Sequence, residues 1–177
     1  MSHIEIFARC LIGLVFCASA IGKLRGAEAF LAFERSVRDL RLLPLATIRP
    51  TARAVVGAEL TVPVLVTVPY TAQAGLATTL LLLTGFTVVV VLMLRRGTPA
   101  SCACFGASGA PYGRRHVVRN LVLLTVAAAG IVTPESALHP AGLAIAIVAA
   151  ILASAVVVTL DELADLFAST AEQGRNQ

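Results

Sequence analysis

Long apolar runs, broken at intervals by short clusters of Arg, Pro and Gly, set the pattern of this chain. Crossing a hydrocarbon core of roughly 30 Å takes about 20 predominantly apolar residues, and five stretches approach or meet that length. They are residues 4–21, 54–71, 76–94, 118–132 and 141–160. The third and fifth are nearly free of charge, whereas the first contains Arg9, the second contains Glu59, and the short fourth opens with Arg119 and Asn120. This pattern predicts an all-α fold, a polytopic membrane helix bundle with a four-helix core and a fifth, C-terminal transmembrane helix. Residues 1–165 form one integral membrane domain and 166–177 a polar tail. Outside the spans the longest stretch is 23–53, so there is no room for a second domain, and the sequence shows no internal repeat.

Composition removes the soluble alternative: 58% of residues are hydrophobic and 14% charged, with a mean hydropathy of +0.88, far from a soluble globular domain. The lipid bilayer is therefore an expected partner. The net charge of +4 points to topology, and nucleic acid is not expected as a partner. Of the 14 Lys and Arg residues, seven fall between positions 23 and 53 and five between 95 and 119. These are alternate connectors, and the other two, 72–75 and 133–140, carry no Lys or Arg. Positive-inside bias thus puts the amino terminus outside and the carboxyl terminus inside a cell membrane. The first span also has a second reading, because Arg9, an apolar run and Ala18-Ser19-Ala20 resemble a secretory signal with a small-residue cleavage site.

Odd helices end and even helices begin on one face, so polar residues converge there. Cys17 sits about 6 Å inside the end of the first span at 1.5 Å per residue, and Glu59 is expected at a comparable depth in the second. Lys23 follows the first span, Cys102 and Cys104 follow the third, and Arg119 with Asn120 opens the fourth. An ionisable residue inside a span marks either a functional site or a paired structural charge. Glu59 is read both ways, the structural reading pairing it with Lys23 or Arg119.

The segment 95–106 is the chemically richest of the chain, since it holds Cys102 and Cys104 one residue apart on a connector. Such a pair can close a small strained disulfide, and strain makes a disulfide exchangeable. Arg95, Arg96, Arg114 and Arg115 would favour thiolate if they approach the sulfurs, and Phe105 and Gly106 would hold the turn. The rival is a metal: Cys102, Cys104 and His116, with Cys17 and Cys10, are the available ligands, but the paired spacing of a structural zinc site is missing and none is assigned. Cys10 and Cys17 share a helix face about 10 Å apart, too far to bridge. Cys10 reads as packing and Cys17 as packing or as a relay thiol. His3 and His139 are expected to be solvated. Gly57, Thr61, Thr84, Gly85 and Thr87 are expected to serve close helix packing.

The stretch Phe16-Cys17-Ala18-Ser19-Ala20-Ile21-Gly22-Lys23, then Leu42-Leu43-Pro44, Glu59, Arg96-Gly97, Cys102-Ala103-Cys104-Phe105-Gly106 and Arg119-Asn120-Leu121 together resemble the methylamine utilisation protein MauE family, related to DoxX-like membrane proteins. The resemblance covers roughly residues 5–130 and departs at Ala103, where the family usually has Gly. It implies a redox-associated membrane protein that supports maturation of a disulfide-containing client, the small subunit of methylamine dehydrogenase, with a thioredoxin-like partner. Cys102, Cys104 and Cys17 would then carry thiol–disulfide exchange, supported by Lys23, Glu59, Phe105, Gly106, Arg119 and Asn120, with a membrane quinone as a conceivable electron carrier. An exported client needs the thiols outside, whereas the basic connectors put them inside, which makes a relay across the membrane one resolution. The alternative is a non-catalytic scaffold or assembly factor whose cysteines are structural or bind metal. A transporter finds less support, lacking an inverted repeat and paired broken helices.

Overall fold

The computed structural model describes residues 2–96, 114–133 and 139–173, and within them all side chains except those of 114–115 and 160–173. The described chain is entirely helical: α1 (His3–Leu24), α2 (Ala27–Asp39), α3 (Leu45–Thr67), a 3-10 turn (Pro69–Thr71), α4 (Ala72–Arg96), α5 (Arg114–Val132) and α6 (Pro140–Gln173). Three segments are long and apolar enough to cross a membrane, His3–Leu24, Pro69–Arg96 and Pro140–Thr159, and His116–Val132 is a shorter apolar helix. The five expected spans are thus matched by three on length and apolarity. The second expected span, built on α3, carries Arg49, Arg53 and Glu59. Helix α6 runs on to Gln173, past the expected start of a polar tail at 166.

Helix α1 starts where Ser2 caps it, the Ser2 Oγ accepting the Glu5 N–H at 3.0 Å, which satisfies one of the orphan donors of the first turn. It then runs through the middle of the bundle and touches every other helix. Leu11, Ile12, Val15 and Phe16 meet Val62 and Val66 of α3, Leu76 and Leu83 of α4, Leu123 and Ala127 of α5, and Ala150 of α6 in one core. Close approach around α1 depends on small residues, as expected where van der Waals packing drives association in lipid. A Cβ on Gly130 would come within 2.8 Å of Ala8 Cβ, and one on Gly75 within 2.8–2.9 Å of the Val66 side chain, Leu65 Cβ and the Val66 backbone nitrogen. Gly57 and Gly85 have nothing within 4 Å of such a Cβ, so these two, expected at helix contacts, are not there.

The stretch 23–53, read from sequence as a connector, contains α2 and the first turns of α3. Helix α2 is amphipathic: Phe33 and Val37 are buried and Phe30 is half-buried, while Glu28, Arg35 and Arg38 are exposed. The i, i+3, i+7 spacing of those apolar residues makes one stripe. The stripe packs on Ile48, Ala52 and Val56 of α3 in a second cluster. After Leu40, Arg41 adopts φ 51, a left-handed conformation that stops the helix and is normally occupied by Gly.

Helix α3 begins at Leu45, nine residues before the expected span start, and stops at Thr67. Arg49, Pro50 and Arg53 lower its hydropathy there, and the helix continues through Pro50 although that residue has no N–H to give. Its end is set by Pro69, which offers no N–H to the helix and pushes Val68 out of helical geometry, at φ −83 and ψ 123. Three carbonyls of the last turn are then served from outside the ladder. Thr71 Oγ1 donates to Leu65 O at 2.8 Å, Arg9 Nε donates to Val66 O at 2.7 Å, and Arg9 Nη2 donates to Thr67 O at 3.0 Å. Arg9 also lies 3.5 Å from Glu5. The charged residue in the first span thus caps the helix beside it.

Candidate functional site

The second ionisable residue singled out by the apolar runs, Glu59, belongs to a closed polar cluster. Ser19 and Lys23 stand four residues apart on α1, hence on one face, and Lys23 folds back along the helix to reach both. Its Nζ donates to Ser19 Oγ at 2.8 Å and to Glu59 Oε1 and Oε2 at 2.8 and 2.7 Å. Ser19 Oγ donates in turn to Glu59 Oε1 at 3.3 Å. All three ammonium protons are therefore placed. The Phe33 ring of α2 lies 4.9 Å from Lys23 Nζ, within cation–π range. Lys23 and Glu59 are each 1% exposed, so this is a desolvated ion pair held by extra hydrogen bonds, the arrangement such a pair needs to persist. Of the two expected partners, Glu59 takes Lys23.

Glu59 lies fourteen residues into α3, about 21 Å along the helix at the α-helical rise, and the Lys23 side chain extends to it from the end of α1.

Beside the pair lies a cavity of about 290 Å³ bounded by α1 to α5. Its walls are apolar, with Val15, Phe16, Val55, Phe86, Val89 and Leu123 among them, and its polar positions include Ser19, Glu59, His116, Arg119 and Asn120. His116 is 5% and Asn120 2% exposed. Arg119 Nη2 donates to Asn120 Oδ1 at 3.4 Å, and Arg119 is near enough to act electrostatically on Lys23. The cavity rim includes Leu42 and Leu43, which are 38% and 39% exposed, so it opens at the α2–α3 corner. The arrangement offers an apolar chamber with hydrogen-bonding groups on one side and a charge-balanced acid–base pair beside them.

The structure thus brings together four of the expected site residues, Lys23, Glu59, Arg119 and Asn120. Cys17 is a half-buried free thiol on α1, and it is not among the residues lining the cavity. Cys102, Cys104, Phe105 and Gly106 lie outside the described residues. Their connector leaves α4 at Arg96 and enters α5 at Arg114, and the cavity is lined by Val89 and Val90 near the first of these ends and His116 near the second. Among the described residues no three His, Cys, Asp or Glu side chains gather where they could hold a metal ion. His3, expected to be solvated, is half-buried, with its imidazole 2.5–2.9 Å from where a Cβ on Gly142 would stand. His139 is exposed.

Two participants escaped sequence reasoning. Ser19 was legible as the i−4 neighbour of Lys23, whereas Phe33 belongs to a helix that hydropathy alone does not reveal.

Comparison with known proteins gives the family. The family model of methylamine utilisation protein MauE matches residues 1–133, from α1 to the end of α5, leaving α6 outside. The chain is 36% identical over 137 residues to the methylamine utilization protein MauE of Paracoccus denitrificans, covering 76% of this chain and 72% of that protein. No solved structure matches at a significant level. The family match includes every helix that lines the cavity, and on both findings the chain belongs to the methylamine utilisation protein MauE family.

Proposed function

We propose that this protein is a redox-associated membrane protein of methylamine utilisation, in which Cys102 and Cys104 exchange with a thioredoxin-like partner to support maturation of a disulfide-containing client. By relation to its family the client is the small subunit of methylamine dehydrogenase. The observation that carries the reading is a Cys-X-Cys on the connector between α4 and α5 in a chain of this family. In each exchange a thiolate attacks a disulfide sulfur, a mixed disulfide forms, and the neighbouring thiol resolves it. Two electrons and two protons leave one dithiol and convert the other protein's disulfide to a dithiol. Cys17, in the half of α1 that ends on the same side, is the chain's reserve thiol for this relay. Lys23 and Glu59 tie α1 to α3, and Arg119 and Asn120 stand near the start of α5, where the connector enters.

The test is trapping of the mixed disulfide. Cys102→Ser and Cys104→Ser should each block turnover, with one of them accumulating a covalent adduct with the thioredoxin-like protein. Labelling of the wild-type pair by a maleimide should appear only after reduction. Adduct formation unchanged in both variants, or labelling indifferent to reductant, would overturn the exchange reading. One observation favours the alternative scaffold: the Lys23–Glu59–Ser19 cluster is fully hydrogen-bonded, as a structural lock would be. For a scaffold, Cys-to-Ser substitution lowers stability and leaves the client's redox state unchanged.

A further inference from the structure

The corner between α2 and α3 carries an apolar tip among cations. Leu42, Leu43 and Leu45 are 38%, 39% and 76% exposed, three large apolar side chains within four residues. Arg38 and Arg41 stand at and just past the end of α2, and Arg49 and Arg53 lie four apart, hence on one face, in the first turns of α3. All four are exposed. Glu34 comes within 3.9 Å of Arg49, whose side chain is still 63% exposed. Across residues 24–53 six Arg stand against the three carboxylates of Glu28, Glu34 and Asp39, so the corner keeps a surplus of positive charge.

Register shows where the tip lies relative to the apolar part of the bundle. Helices α3 and α4 run antiparallel, with Gly75 against Val66 and with Val89 and Val90 lining the same cavity as Thr51 and Val55. Twenty residues on from Gly75 is Arg95, and twenty back from Val66 is Ala46. An equal rise per residue therefore brings Leu45 level with Arg95 and Arg96, where the apolar run of α4 ends.

Exposed apolar side chains rimmed by charge mark a surface that something covers. At the end of an apolar span the neighbouring medium has two layers, acyl chains that suit leucine and headgroup phosphates that suit arginine, whose fork takes phosphate oxygens in pairs. Positive-inside bias accounts for the arginines and not for the leucines set among them. An acidic soluble protein would match the charge, but it would first have to displace the lipid that the end of α4 brings beside the tip.

We propose that the α2–α3 corner is a docking surface for anionic phospholipid, with Leu42, Leu43 and Leu45 at the boundary between headgroups and acyl chains and Arg38, Arg41, Arg49 and Arg53 on the headgroup phosphates. The surface is independent of the thiol-exchange reading and of which way the chain faces.

The experiment places the full chain in phosphatidylcholine nanodiscs containing a trace of phosphatidylglycerol or phosphatidylcholine that carries a diazirine near its glycerol. After illumination, peptide mass spectrometry gives the share of all label on the chain that falls on residues 42–48. That share should be about fivefold higher for phosphatidylglycerol, the effect of a single cation held near an anionic lipid. Changing Arg38, Arg41, Arg49 and Arg53 together to Gln should remove the preference, and changing them together to Lys should retain most of it. Should the fourfold Gln variant not fold, Arg38→Gln with Arg41→Gln should reduce the preference. Leu42→Ser with Leu43→Ser and Leu45→Ser should lower the share for both lipids. Equal shares for the two lipids, or a preference untouched by the Gln variants, would overturn the proposal. So would loss of the preference in excess inorganic phosphate, which would make the corner a site for free anions. Absence of label on 42–48 while the same arginines bind polyglutamate would give the surface to an acidic protein instead.

Discussion

Replacing Glu59 by Gln leaves the Lys23 ammonium in a site that is 1% exposed with its countercharge gone. Removing one partner of a buried ion pair costs about 3 kcal/mol, because the other charge stays desolvated. Glu59→Gln should lose that much in denaturant unfolding of the detergent-solubilised protein, while the double change Glu59→Leu with Lys23→Met should recover most of it. A double variant as unstable as the single one would show that the pair is not the main interaction of the cluster. Arg9 makes a different prediction, because its guanidinium serves two carbonyls at once. Arg9→Lys keeps the charge but not the fork that spans Val66 O and Thr67 O. The loss should be about 1–2 kcal/mol, roughly that of one charge-assisted hydrogen bond, measured in the same assay. At this scale the sequence showed which residues were anomalous and not how each is resolved. Arg9 and Glu59 stand out in any hydropathy reading, and Lys23 was legible as a partner. That Arg9 caps a helix 57 residues away in sequence depends on where α3 ends, which a proline two residues beyond the helix decides.

The elements were legible wherever apolarity alone defines them. Helices α1 and α4 fall close to their expected spans because a long apolar run admits few other structures in lipid, while α5 holds the short fourth run and α6 holds the fifth and continues past it. Helix α2 was hidden since its signal is a stripe of Phe30, Phe33 and Val37 set among Glu28, Glu34, Arg35 and Arg38, and a hydropathy window averages that stripe away. The early start of α3 was hidden for the same reason. Glycines illustrate the limit most plainly, because sequence cannot say which face of a helix meets a neighbour. A Cβ on Gly75 would stand 2.9 Å from the Val66 backbone nitrogen and one on Gly57 would meet nothing within 4 Å, so Ala substitution should act in opposite directions. Gly75→Ala should destabilise by about 1–3 kcal/mol, through overpacking between α3 and α4. Gly57→Ala should stabilise by about 0.5–1 kcal/mol through the lower entropy of the unfolded chain and the better helix propensity. Thermal denaturation in one detergent reads both, and a stabilising Gly75→Ala would mean that α3 and α4 do not meet as closely as described.

For the whole molecule, the arrangement of helices and the distribution of charge bear on the same property. Helix α1 contacts every other helix, and the ion pair and the cavity lie toward the half of the bundle where α1 ends, α2 packs and α5 begins. The basic connectors 23–53 and 95–119 hold twelve Lys and Arg residues, and connectors 72–75 and 133–140 hold none. Read by the positive-inside rule, that bias would put the α2 side, with the cavity mouth, toward the cytoplasm. On the thiol-exchange reading, a client on the far side would then exchange electrons through the bundle rather than by direct contact with Cys102 and Cys104. Single-cysteine reporters test this: Glu28→Cys on the exposed face of α2 should react with an impermeant maleimide only from the cytoplasmic side of sealed vesicles, and Ser136→Cys only from the other. The two must differ if α3, with Glu59 and its two internal prolines, crosses the membrane as the helix order requires. Labelling of both from one side would mean that α3 does not span, and that the ion pair joins α1 to a helix lying at the membrane surface. Opposite labelling with the sides exchanged would keep the bundle, reverse the positive-inside orientation, and bring the thiol connector into contact with exported proteins.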